Sequence, residues 1–141
     1  MAGWVAALVV VAGTLGTAQK VVGPDEFDRA MKTIGTAIEG VHEAIGSEAY
    51  VAAKTPLALS RQVLASTRPV WETTGAPDAV RMTREALATL DALDTALSTN
   101  VVDAGAVTAA VEDVTRGCNA CHASYREGDE TTGYRMKPVP R

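Results

Sequence analysis

The sequence predicts an all-α protein, an antiparallel four-helix bundle, and three observations carry that expectation. Ala, Leu and Val are abundant, whereas aromatics number only two Trp, three Tyr and one Phe; that balance suits helices packed on helices better than a sheet core. Residues 27–45 and 104–125 place apolar residues at alternating steps of three and four, the spacing of one helical face, and residues 57–71 and 82–97 carry theirs at compatible helical steps of three, four or seven. The breaks between them are short and rich in turn residues, so successive helices should run antiparallel. A chain of 141 residues is at most one domain, and a formal net charge of −4 with no long basic run argues against a nucleic-acid partner.

The opening stretch, MAGWVAALVVVAGTLGTAQK, has no charged side chain before Lys20. Its apolar part, roughly Trp4 to Leu15, falls short of the about 20 residues that span a membrane. Gly16-Thr17-Ala18 fits a signal-peptidase site with cleavage before Gln19. Lys and Arg are absent from the n-region, so two readings stand: a cleaved secretory signal over 1–18, which the cleavage site favours, and an uncleaved amino-terminal anchor. Both place the rest of the chain outside the cytoplasm, in the periplasm, as one domain over 19–141. After signal cleavage no membrane attachment is expected.

Gly23-Pro24-Asp25-Glu26 reads as a helix start, with Pro at the first helical position and acids in the first turn. Phe27, Met31, Ile34, Ile38, Val41 and Ile45 then form one stripe, and Gly46-Ser47 offers a stop followed by a possible N-cap. A second helix, with Leu57, Val63, Leu64, Val70 and Trp71 apolar, extends to about Trp71. Either it starts at Thr55-Pro56 or it starts near Glu48 and kinks at Pro56; the long, kinked form is preferred.

ETTGAPD, residues 72–78, reads as a loop. The third helix carries Met82, Ala86, Leu90, Leu93 and Leu97 on one face, with Leu87 beside them. STNVVD then breaks the pattern, and Asp103 is a good cap for a fourth helix. Its stripe is Ala104, Val107, Val111, Val114, Cys118, Cys121 and Tyr125. From residue 127 to 141 no apolar period remains, and the segment reads as a carboxyl-terminal tail.

The two cysteines of RGCNACHASYR are the only ones in the chain. At i and i+3 on one helix, Cys118 and Cys121 lie about 5–6 Å apart at Cβ, a separation that suits thioether bonds to two vinyl groups along one haem edge. His122 follows directly, where its imidazole can reach the iron from one side. CxxCH is the attachment signature of c-type haem, and neutral imidazole is a standard axial ligand. Three other readings compete. A disulfide from i to i+3 inside a regular helix has poor geometry. A thioredoxin-like pair expects a strand–helix context, and zinc wants four donors where His42 is the only other His or Cys. One covalent haem c per chain is the reading on which motif, helix phase and export segment agree.

With CxxCH near the carboxyl end of a four-helix chain, the sequence resembles the class II c-type cytochromes: cytochrome c prime and its low-spin, methionine-ligated relatives. The resemblance covers about residues 25–126. It is specific at CNACHASYR and looser at EFDRAMKTIG in the first helix. It implies a haem held by Cys118 and Cys121 with His122 as proximal ligand, and it puts Met31 at the family's sixth-ligand position. The pattern of residues alone would make Met31 ordinary core filling, as it would Met82. Met136 in the tail and His42 are weaker ligand candidates.

One departure stands out: where cytochrome c prime proteins commonly carry an arginine near the propionates, this chain has Phe27. That leaves Arg29, Lys32 or basic residues of the tail for the role. Arg116 and Arg126, flanking the motif, read as solvated helix residues, and Tyr125 as a packing residue on the proximal side.

The resulting expectation is a periplasmic electron-transfer cytochrome with His122 and Met31 as axial ligands, a redox partner protein of unspecified identity, and no enzymatic acid–base pair. The alternative is a five-coordinate haem protein that binds NO or CO, and a haemless bundle with a CxxC redox pair is a third. A homodimer is compatible with each.

Overall fold

Pro24 opens the first helix, as its fixed φ and missing N–H suit it to do. In the computed structural model, which describes residue 21 and residues 23–139, α1 runs Pro24–Gly46. The expected signal segment lies outside the described residues. Glu26 Oε2 accepts a 3.0 Å hydrogen bond from the Gly23 N–H and holds the chain's entry into α1. At the other end, Ser47 donates both its N–H and its hydroxyl to the Glu43 carbonyl, at 3.1 and 2.9 Å. Ser47 therefore closes α1 and does not cap α2. Glu48, at φ 57°, turns the chain.

α2 spans Tyr50–Thr74 as one long helix with Pro56 and Pro69 inside it, the longer of the two forms the sequence allowed. Gly40 of α1 faces Pro56; a Cβ at Gly40 would lie 3.7 Å from the ring, so the two helices pass closely there. Gly75 ends α2 in the left-handed region at φ 72°, and the Ala76 N–H closes onto Trp71 O at 3.0 Å. Pro77 then starts α3, Pro77–Leu97. The loop expected over 72–78 shrinks to Gly75 and Ala76, because its glycine and proline serve as helix punctuation. α4 spans Ala104–Tyr125, and Asp103 caps it by accepting the Ala106 N–H at 2.7 Å.

The helices pack in chain order, α1 on α2, α2 on α3 and α3 on α4. The short turns between them make each pair antiparallel. The main core joins Val41 of α1, Leu57 of α2, Leu90 and Leu93 of α3, and Val107 and Val114 of α4. Among the described residues, α1 and α4 share no comparable backbone interface. This is a four-helix all-α bundle whose first and last helices are held mainly through their neighbours.

The buried faces are rotated from the apolar stripes read in the sequence. α1 buries Ala30, Ile34, Ala37 and Val41, so two alanines of the α2-facing side go under while Phe27, Met31, Ile38 and Ile45 stay half-buried. α3 buries Ala79, Thr83, Ala86, Leu90, Leu93 and Leu97, leaving Met82 and Leu87 at its margin. Ser60, Thr67 and Thr83 are buried polar residues. Each turns its hydroxyl back onto its own helix, to Pro56 O at 3.0 Å, Leu64 O at 2.7 Å and Ala79 O at 2.8 Å. Exposed pairs Arg61–Asp91 and Lys54–Asp94 line the α2–α3 seam and contribute little on their own.

The segment read as a tail is ordered structure. Strands β1, Arg126–Glu127, and β2, Arg135–Met136, form an antiparallel hairpin, with Arg126 opposite Met136. Asp129 organises its turn, the carboxylate accepting from the N–H groups of Thr131 and Thr132 at 2.9 and 2.8 Å. Gly128 is obligatory in this turn: its φ is +90° and a Cβ would collide with the Gly133 carbonyl. Arg126 lies over the Tyr134 ring, 4.2 Å from its centroid. The hairpin escapes sequence reading because its anchor is a single apolar residue, Met136, which has no periodic partner. Among the described residues, no helix is long and apolar enough to cross a membrane.

Candidate functional site

The last two turns of α4 carry Cys118, Cys121, His122 and Tyr125, all half-buried. A helix puts residues three and four apart on one face, so local sequence alone groups these four side chains. Val114 and Val107, about one and about three turns nearer the start of the helix than Cys118, are buried in the core shared with α3, and Gly117 lets α4 approach Ala86 and Thr89. Cys118 borders the main core. Both cysteines are free thiols.

Burial raises the Cys118 pKa above its ordinary 9.0, opposed by a backbone hydrogen bond, and it raises that of Cys121, with the Cys118 charge adding to it. The two are therefore protonated at neutral pH. His122 moves the other way: burial lowers its pKa from 6.5, and the nearby Arg126 guanidinium lowers it further. Its imidazole is neutral at pH 7 and offers a lone pair.

Trp71, 2% exposed near the end of α2, connects this region to α1. Its ring meets Phe27 edge-on at 5.0 Å between centroids, with an interplanar angle of 80°. On another side it meets Tyr125 at 5.1 Å, tilted by 50°. Met136 of the hairpin packs onto the same cluster. The start of α1 and the end of α4 are thereby brought to one end of the bundle. Met31 lies four residues beyond Phe27, and His122 three residues before Tyr125. At 1.5 Å rise per residue these are about 6 and about 4.5 Å back from the aromatic cluster along their helices. Met31 and His122 thus stand at similar depth in the bundle.

The four methionine and histidine candidates separate clearly. Met31 is half-buried and belongs to none of the three apolar clusters formed by the described residues. Met82 is half-buried on α3. Met136 is engaged with Phe27, Val70 and Trp71, and His42 is exposed on α1. Cys118, Cys121 and His122 come together on one face of α4, whereas Met31 stands on α1, a helix that shares little backbone contact with α4. An open groove lies on the neighbouring face of α4, lined by Val111, Thr115, Asn119 and Ala120 among others, and it includes neither cysteine nor His122.

Among the described residues, no three His, Cys, Asp or Glu side chains converge to hold a metal ion. Haem brings most of its own iron ligands and asks the protein for one or two more. Two free thiols and a neutral imidazole on one half-buried helical face fit such a group. The sequence reads Trp71 only as apolar and so misses its part in joining Phe27 to Tyr125; it names Met136 as a weak ligand candidate in a tail, where the structure packs it on the Trp71 cluster. The Gly75 turn that presents Trp71 was the one local hint. Comparison with family models, with curated proteins and with solved structures finds no match to this chain; the functional reading rests on its own residues.

Proposed function

We propose that this chain is an exported c-type cytochrome that carries electrons, with one haem attached through Cys118 and Cys121. The observation that carries the reading is the CxxCH run itself, set on a half-buried face of α4 with both thiols free and the imidazole neutral. When bound, the haem supplies one-electron chemistry through its iron. The chain's own residues do the rest. Cys118 and Cys121 would hold the group to α4 through thioether bonds, and His122 would offer it the imidazole lone pair. Met31, half-buried on α1 and outside the apolar clusters, would be the second protein donor. The apolar core beside Cys118 excludes water and keeps the environment's dielectric low. The position of Met31 favours this six-coordinate form over an open-site NO- or CO-binding protein.

The test is the mature mass after export in a host with haem-attachment machinery. Addition of a thiol to a vinyl group expels nothing, so the polypeptide should gain one whole haem. Cys118→Ala and Cys121→Ala should each leave at most one thioether. An unmodified mass under those conditions sinks the proposal. A broad, high-spin reduced spectrum that changes on CO addition would instead select the gas-binding alternative.

A further inference from the structure

The final turn of an α-helix leaves four carbonyls without helical partners. In α4 these belong to His122, Ala123, Ser124 and Tyr125. His122 O receives the Arg126 N–H. Two of the others are met by one residue of the hairpin: Lys137 donates its main-chain N–H to Tyr125 O at 2.8 Å and its ammonium to Ala123 O at 2.9 Å. A cation at this end also complements the helix dipole. Lys137 is held in register by the β1–β2 ladder that ends at Met136 and by the packing of the Met136 side chain on the buried cluster of Trp71, Ala76 and Ala79.

We propose that Lys137 is a positioning residue for His122: by holding the carbonyls of Ala123 and Tyr125 it fixes the turn of α4 from which the imidazole projects. The inference rests on the haem reading above. Ala123 is the residue next to His122, so a frayed last turn would let the imidazole change direction, whereas a clamped turn gives it one. A hairpin that only covered the bundle end would need Met136 and not the ammonium of Lys137.

Three full-length variants test this. Lys137→Met keeps length and the main-chain N–H but removes the ammonium donor; Lys137→Arg restores a cationic donor. Arg135→Gln breaks the hairpin's exposed pair with Glu127, 2.8 Å apart, without touching α4. Each is purified as holoprotein, its mass measured, and its ferric electron paramagnetic resonance spectrum and α4 amide exchange recorded well below the melting temperature. The Met variant should show shifted or broadened g-values and exchange in the last turn of α4 at least about tenfold faster. The Arg and Gln variants should match the parent. If Lys137→Met does not accumulate, Lys137→Gln serves the same comparison. Haem present with unchanged resonance and exchange overturns the role of Lys137 alone. Absence of haem from every protein, parent included, overturns the underlying haem reading and any role toward iron with it.

Discussion

Tyr125, at the end of α4, packs its ring on that of Trp71 in α2 with 5.1 Å between centroids. The same indole meets Phe27 of α1. One buried side chain therefore ties together the two helices that otherwise share little backbone contact, at the end of the bundle where His122 sits.

Removing that side chain should be costly. Trp71→Ala leaves a cavity between Phe27, Tyr125 and Met136, and Trp→Ala changes in cores cost about 3–5 kcal/mol. Denaturant unfolding of the variant should show a loss of that size. A loss under about 1 kcal/mol would mean the cluster collapses around the gap or was never tight.

Met31→Leu separates ligand from filler. The swap nearly conserves volume and apolarity, so its packing cost should stay below about 1.5 kcal/mol. If Met31 is the sixth ligand, the holoprotein should lose the sulfur-to-iron band near the red end, become high-spin in the ferric state, bind CO and fall in potential. A variant that stays low-spin moves the sixth ligand elsewhere, and Met82 would be examined before the engaged Met136 and the exposed His42.

His122 gives the haem-free chain a pH signature. Its folded pKa is lowered from 6.5 by burial and then by Arg126. Above 6.5 the imidazole is neutral in both states and costs nothing. As pH falls below 6.5 the unfolded chain takes up a proton that the folded chain resists, so stability declines until the folded pKa is passed. Melting curves of apoprotein from pH 7.5 downward should show this decline, and His122→Gln should flatten it. Equal slopes in the two proteins would show that His122 is not desolvated.

Asp103 tests the start of the helix that carries the motif. Its carboxylate is the side-chain cap of α4, and replacing such a cap by Ala costs about 1 kcal/mol. Asp103→Ala should lower the melting temperature while leaving the CxxCH chemistry untouched, because the cap lies at the opposite end of α4. A changed haem spectrum in this variant would show that the two ends of α4 are coupled.

Much of this molecule is local and was readable as such. Pro24 and Asp103 mark helix starts through their own backbone chemistry and read as such, whereas Gly75 and Pro77 read as part of a loop and prove to end α2 and start α3. The CxxCH run needs only a helical phase to place two thiols and an imidazole on one face. Other features depend on what each helix meets. Ala30 and Ala37 join Ile34 and Val41 as the buried positions of α1, while Phe27 and Met31 stay half-buried, because small side chains allow close approach between helices. Ser60 and Thr67 go under because their hydroxyls are satisfied within α2.

The clearest contrast lies at the carboxyl end. Residues 126–137 have no periodic pattern, and they are placed by one methionine packed on the buried clusters around Val70 and Trp71 and by one lysine that meets two carbonyls of α4. By itself the sequence determined the helices, their order and the face of α4 that carries Cys118, Cys121 and His122, since each follows from residues within a few positions of one another. Only the tertiary structure decided which side of each helix is buried, that Trp71 joins Phe27 to Tyr125, and that the last turn of α4 is clamped. Those depend on contacts between residues distant in the chain, and no local preference encodes them.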